Sequence, residues 1–451
     1  MLNILRINTR TDNAAEKLQL LRNKLRIDGN IVSEAGKKKT VEIFGEPLTP
    51  VQVVKKICKD IKERGLDALL EYSQKIDGAE LTAGTLRVSE EELNAAYQRA
   101  DKKLLDAVKK VRDNIWTFQE AILTKSVRVE RPGGYLTQRY RPLKRTGVCV
   151  PGGAAAYPST VLMSVVPAKV AGVKEIAVMA PPTKFGAYND DMLAVCTELG
   201  VNEVYRMGGA QGVAALAYGV NGRICPAVDK IVGPGNLFVA LAKRYVFGEV
   251  DIDSIAGPSE VVVIVDKSTN PVFTAYDLLA QAEHSPGASI LIGWDEDILN
   301  RTLQSVEEQL NKIERGALAK TALQEFGAVI LTKDADESCR LTDEIAPEHL
   351  HIATENAEEL ADKINCAGAM FLGNNTPVAV GDYAAGPSHV LPTGGTARFA
   401  SGLTCNDFLR GNSILSFDAG GLKELAPLID VIAAKEGLTA HRESAMKRIQ
   451  W

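Results

Sequence analysis

The sequence predicts an α/β protein built on two parallel sheets, with a helical segment before them and a small helical tail after. Three observations lead there. Residues 1 to about 145 carry apolar side chains mostly at helical spacing. Beyond Gly147, short β-rich runs alternate with helical stretches. The alternation occurs twice, in series that part near residue 260. Strands spaced by helices of roughly 10 to 20 residues indicate βαβ units and hence parallel sheets.

Residues 1–44 read as an N-terminal extension whose basic run "GKKKT" (36–40) is a solvated face. In the segment 45–145, "TPVQVVKKICKDIKERGLDALLEYSQKI" (49–76) starts on Thr-Pro and is interrupted at Gly65. "SEEELNAAYQRADKKLLDAVKKVRDNIWTFQEAI" (89–122) opens with a Ser-x-x-Glu capping box. This helical segment is expected to pack on the second α/β domain. The first α/β domain, 146–259, has strands at "GVCV" (147–150), "EIAVMA" (175–180), "EVYRM" (203–207) and "DKIV" (229–232). The second, 260–400, has "EVVVIVD" (260–266), "SILIGW" (289–294), "GAVILT" (327–332), "LHIAT" (350–354) and "AGAMFL" (367–372). A Gly/Pro-rich stretch (381–399) breaks the alternation. The tail, 401–451, turns helical over 420–450.

Bulk properties exclude several classes. At 451 residues the chain is too long for one compact domain. A net charge of −5 leaves no electrostatic footprint for nucleic acid. Seven cysteines, scattered and never spaced as Cys-x-x-Cys, indicate neither a disulfide framework nor a thiolate zinc knuckle. The N-terminus has no apolar core of signal-peptide length, and no apolar run of about 18 residues is present. A cytoplasmic, reduced protein that does not enter a membrane is expected.

Open α/β sheets bind ligands at the carboxyl ends of their strands, so the loops after strands are where chemistry is expected. "VPGGAAAYPST" (150–160), "GGAQG" (208–212) and "GPGN" (233–236) each lie between a strand and a helix whose N-terminus favours an anion. None is Gly-x-Gly-x-x-Gly. Singly each reads as tight-turn chemistry, and three in one series point toward a dinucleotide or phosphate.

All five histidines lie beyond residue 280. "DLLAQAEH" ends a helix with Gln281 and His284 on one face, half of a divalent-metal site by residue type. Asp382 and His441 would complete a nitrogen/oxygen set suited to zinc, cobalt or manganese. In "APEHLHI" (346–352) Glu348 adjoins His349 at a loop-to-strand junction. Imidazole is the natural base near pH 7, and a carboxylate beside it can activate water. The plainer reading is a mutual surface contact. His351, two positions along the strand, reads as structural.

"VPGGAAAYPSTVLMSVVPAKVAGV", "GGAQGVAALAYG", "DKIVGPGN", "AGPSEVVVIVD", "DLLAQAEH", "EIAPEHL", "GDYAAGPSHVLPTGGTARFASGL" and "EGLTAH", in this order from about residue 45 onward, resemble the histidinol dehydrogenase family. The resemblance implies two Rossmann-like domains and a C-terminal dimerisation tail that swaps in a homodimer with shared active sites. It implies oxidation of L-histidinol to L-histidine through L-histidinaldehyde, the last steps of histidine biosynthesis, with NAD and one Zn2+ per subunit. It assigns Gln281, His284, Asp382 and His441 to the metal and Glu348 and His349 to acid/base catalysis. Ser259 and Glu436 would contact substrate, together with His349 and the metal ligands. Cys149, Gln211 and Asn236 would contact NAD. Three positions depart from the family pattern: Cys149 replaces an aromatic, commonly Tyr, Ser388 an Asn, and Gly212 a common Ala. A related NAD-dependent dehydrogenase of another polar alcohol is the alternative reading, and a metal-binding protein without turnover is a third.

Overall fold

The structure is a computed structural model that describes residues 2–25, 34–153, 155–222, 224–284 and 286–450. Residues 26–33 of the N-terminal extension, and Ala154 in the first glycine loop, therefore lie outside the described residues.

The chain starts with β1 (Leu5–Asn8), α1 (Ala14–Leu25) and α2 (Glu34–Phe44). Next come α3 (Pro50–Arg64), α4 (Leu66–Asp77), α5 (Glu90–Arg99), α6 (Lys102–Ile122), and a hairpin of β2 (Val127–Arg131) and β3 (Gly134–Pro142). The first β/α series is β4 (Arg145–Cys149), α7 (Pro158–Ala171), β5 (Glu175–Ala180), α8 (Asp190–Glu198), β6 (Glu203–Arg206), α9 (Gly209–Tyr218), β7 (Lys230–Val232), α10 (Leu237–Val246) and β8 (Asp251–Ile252). The second opens with β9 (Ser259–Val265), α11 (Pro271–Ala282), β10 (Gly287–Gly293), α12 (Glu296–Leu310), α13 (Gly316–Phe326) and β11 (Ala328–Leu331). It continues with α14 (Ala335–Ile345), β12 (His349–Ala353), α15 (Ala357–Ala361), β13 (Ala369–Leu372) and α16 (Val378–Tyr383). The chain ends with β14 (Leu409–Phe417), α17 (Ala419–Lys435) and α18 (Thr439–Gln450).

Two parallel sheets result, as expected. The first has the order β6-β5-β4-β7-β8 and the second β1-β11-β10-β9-β12-β13. Their central strands, such as β9 and β10, are apolar and almost wholly buried, as strands covered on both faces must be. Two features were not expected. β1, from the N-terminal extension, pairs with β11 at the edge of the second sheet. An antiparallel sheet, β14-β3-β2, joins the hairpin to a strand from the C-terminal region.

The expected packing of the helical segment is corrected. It packs on the first domain, not the second. Val53, Val54, Ile57 and Ile61 of α3 enter one core with Ala210, Val213 and Leu216 of α9 and Leu241 of α10. Val108 and Ile115 of α6 enter another with α7 and α8. The second sheet is already covered by its own helices and closed at its edge by β1, which leaves no apolar face for this segment. The Gly65 interruption is real: at φ +58° it ends α3 and admits α4. The 89–122 run is two helices, because Asp101 caps a new start by accepting from Lys103 N.

Among the described residues no helix is long and apolar enough to cross a membrane. The "GKKKT" lysines, Lys37 to Lys39, are exposed on α2 as expected.

Candidate active site

Helix α14 ends at Ile345, and Ala346 turns the chain with φ +51°, a left-handed conformation rare for a residue with a Cβ. Pro347 bars the right-handed helical conformation from the residue before it, so the helix stops and the chain enters β12. Glu348 and His349 are thereby delivered to the amino end of the second sheet, between β9 and β13. The expectation that chemistry lies at carboxyl ends does not hold at this sheet. Nor is the pair a surface contact, since both residues are about 95% buried.

Glu260 N–H donates to Glu348 Oε2 at 3.0 Å. His349 Nδ1 lies 3.2 Å from the Glu260 carbonyl oxygen and 3.6 Å from Glu348 Oε2. Its Nε2 lies 3.2 Å from Asp382 Oδ1. A donated Nδ1–H to the carbonyl would leave Nε2 as the basic nitrogen, aimed at the Asp382 side. Burial raises the pKa of Glu348 against the pull of His349, while the Ser259 hydroxyl is among its hydrogen-bonding neighbours. Burial opposes charging His349, but Glu348 and Asp382 outweigh it and push the imidazole up to about 9. Two carboxylates facing one ring favour its protonated form, so His349 serves as a base once one of them is engaged elsewhere.

Gln281 occupies the last turn of α11, buried, and its amide nitrogen has no hydrogen-bond partner among the described residues. His284 follows the helix end. Its side chain is open to solvent on one side, yet desolvation by the surrounding protein lowers its pKa, with Asp382 the leading charge acting against that and His349 adding to the lowering. Asp382, on α16, is held low: burial would raise it, and the bond to His349 reverses that. His389 Nδ1 lies 2.9 Å from the Asp382 carbonyl oxygen and so fixes the loop behind it. The structure therefore brings together Ser259, Glu348, His349 and Asp382, with His284 within electrostatic reach and Gln281 one helical turn before it. It does not gather Glu436 and His441. Both are exposed on the tail, and among the described residues neither bonds to this group. No three His, Cys, Asp or Glu side chains converge at metal-binding distance among the described residues.

His351 is built into the core, its Nε2 2.9 Å from the Gly373 carbonyl oxygen and its Nδ1 facing Asp277 of α11. Sequence reasoning missed Glu260. It is buried, accepts from Gly394 N–H at 3.0 Å, and touches both catalytic candidates through its main chain. Burial and the adjoining Glu348 push its carboxyl up to about 7. Its only sequence signal was its place after Ser259, in a strand that otherwise reads as plain core.

Cys149, Gln211 and Asn236 do come together, lining one cavity of about 590 Å³. Strand order reverses between β4 and β7, and the loops after these two strands flank that switch point, where such sheets bind ligands. Gly233 sits at φ +100°, and a Cβ there would come 2.3 Å from the Cys149 carbonyl oxygen. Only glycine lets the two loops meet so closely. Gln211 donates to Asp77 Oδ2 at 3.0 Å, and Asn236 caps α10 by accepting from Phe238 and Val239 N–H. The Cys149 thiol is buried and pushed up to about 12, so it is no nucleophile. Gly212 has a steric reason: a Cβ would lie 2.8 Å from the Met179 sulfur. Ser388 donates to the Met163 carbonyl at 2.8 Å and is built into the core.

The sequence profile of the family described as histidinol dehydrogenase matches residues 48–449. The chain belongs to the histidinol dehydrogenase family. Histidinol dehydrogenase of Rhodopirellula baltica is 60% identical over 438 residues, covering 97% of this chain and 95% of its own. That of a Synechococcus strain is 46% identical over 399 residues, covering 88% and 92%. The crystal structure of histidinol dehydrogenase from Elizabethkingia anophelis has a TM-score of 0.89 at 33% identity, covering 100% of this chain and 99% of that one.

Proposed function

We infer that this chain, as a histidinol dehydrogenase, oxidises L-histidinol to L-histidine through L-histidinaldehyde. The observation that carries the reading is the buried Glu348–His349 pair, set against Asp382 with His284 within electrostatic reach, in a chain of this family.

His349 accepts the alcohol proton through Nε2. Glu348, unable to reach bulk water from its buried position, is placed to take a proton from one water as the aldehyde is hydrated. His349 returns its proton to the aldehyde oxygen as the water adds, and its freed Nε2 then accepts a proton from the gem-diol. Two NAD molecules, used in turn, supply the hydride acceptor for the two oxidations. No cysteine adjoins the pair, which suits water rather than a thiolate as nucleophile.

The residues present fit zinc. By residue type the set suits the ion: His284 offers an imidazole and Asp382 a carboxylate within electrostatic reach of each other, and Gln281, buried one helical turn before His284, offers an amide oxygen. Gln281, His284 and Asp382 would hold the ion, with His441 as the fourth ligand. Zinc supplies a template for the substrate's nitrogens and charge stabilisation near the alcohol oxygen. Engaging Asp382 would also remove one of the two charges that keep His349 protonated. Because Glu436 and His441 lie exposed on the tail, we assign them to the partner subunit's site, making a homodimer with shared sites. Seven unpaired cysteines fit the reducing cytoplasm.

The test is NADH formed per L-histidinol consumed, with zinc present and after chelation. Two per substrate, lost on chelation, is the expected result. One per substrate in the wild type would remove Glu348 from the hydration step. No NADH would reject L-histidinol as substrate.

A further inference from the structure

We propose that α2, from the N-terminal extension, is the wall of the dinucleotide cavity against which the adenine ring lies, with Phe44 supplying the aromatic face. This rests on the reading of that cavity as the NAD site.

The cavity's floor is made by the glycine loops that carry Cys149, Gln211 and Asn236, and α2 closes one side with Lys39, Thr40, Ile43 and Phe44. None of Glu348, His349, Asp382 or His284 lines it. The nicotinamide must reach those residues to accept hydride, so this space is left for the other end of the dinucleotide. That end needs three things: an anion site for the pyrophosphate, an acceptor for ribose hydroxyls, and a flat apolar face for adenine.

The N-termini of α9 and α10 answer the first. The Asp77 carboxylate, already oriented by Gln211, answers the second. The third has no answer at Cys149, a small thiol sunk in the core. Phe44 provides one. Its ring is partly buried and propped by Tyr72, with centroids 6.0 Å apart and planes tilted by 43°. Lys56 Nζ lies 5.7 Å from the ring centroid. The helix that carries it is latched at the cavity's edge, where Leu48 N–H donates to Thr40 Oγ1 at 3.1 Å. A ring fixed in this way gives stacking area without being ordered on binding.

The experiment is calorimetric titration of NAD and, separately, of AMP into the zinc-loaded wild type and the variants Phe44→Tyr, Phe44→Leu and Phe44→Ala. We expect Tyr to bind both probes within about twofold of wild type, Leu about fivefold more weakly and Ala about tenfold more weakly, the range set by loss of base–aromatic stacking. Equal affinity across Phe44, Leu and Ala would overturn the proposal while leaving the NAD site standing. A wild type that binds neither probe saturably would overturn both. Hydrogen exchange of the wild type needs no substitution: slowed exchange of amides 37–44 on adding AMP supports the proposal, and unchanged exchange there, with AMP bound, rejects it.

Discussion

Gly368 precedes β13 and faces the carbonyl of Glu348. Its N–H donates to Pro347 O and the next N–H, of Ala369, donates to Glu348 O, both at 2.9 Å. A Cβ on Gly368 would come 2.5 Å from that same oxygen and 3.2 Å from Pro392 Cδ. Its φ is not left-handed, so the effect of Gly368→Ala is contact and not backbone strain. To reach even a tight contact near 3.0 Å, the carbonyl or the strand must retreat by about 0.5 Å, and by about 0.9 Å for an ordinary one. Overpacking of this size costs about 1–3 kcal/mol of stability. The larger effect falls on chemistry, since a misplacement approaching 1 Å at a catalytic group costs up to about 100-fold. We expect kcat for L-histidinol to fall about 10- to 100-fold with KM changed far less, measured as NADH formation beside melting temperature and zinc content. A folded, zinc-loaded variant with kcat within twofold of wild type would show that β13 does not set the position of Glu348.

Three further outcomes are expected. Glu260 has its folded pKa raised from 4.5 to about 7, so the folded state binds the extra proton and stability falls as pH rises through that window. Glu260→Gln should therefore gain on wild type between pH 5 and pH 8, by on the order of 3 kcal/mol, and a constant difference in melting temperature would refute it. Alkylation of the native protein at pH 8 should label Cys366, the one cysteine not fully buried, and leave Cys149 untouched; modification of Cys149 before unfolding would contradict its burial. Mixing inactive His441→Ala with inactive His349→Ala subunits should restore about a quarter of wild-type activity if sites are shared between subunits, and none if each chain completes its own site.

The parallel sheets were legible because strands buried on both faces are written as uninterrupted apolar runs, as in "EVVVIVD" and "EIAVMA". The antiparallel sheet was not. β2 is exposed along its whole length, so its alternation "VRVER" has no apolar partner face to announce it. β1 is four residues long and gains its place only from an edge about 320 positions away, at β11. The site divided along the same line. Residue types and local spacing singled out Glu348 with His349 and Gln281 with His284 as candidates, while their roles came only from the resemblance. Asp382 could be placed only by resemblance, because nothing local says that α16 returns to the amino end of β12. Glu260 was hidden by its own strand, since five buried valines and isoleucines follow it directly.

The two domains also borrow from the ends of the chain. β1 and Leu2 complete the second sheet and its core, whereas Val390, Leu403 and Phe408 complete a core of the first. On a ribosome the first domain must wait, unfinished, until some 400 residues have emerged. The N-terminal strand must in turn wait for a partner made about 320 residues later. Neither half is then a self-sufficient folding unit, so a cut near residue 260 should yield two pieces that fail separately and recover only when made together.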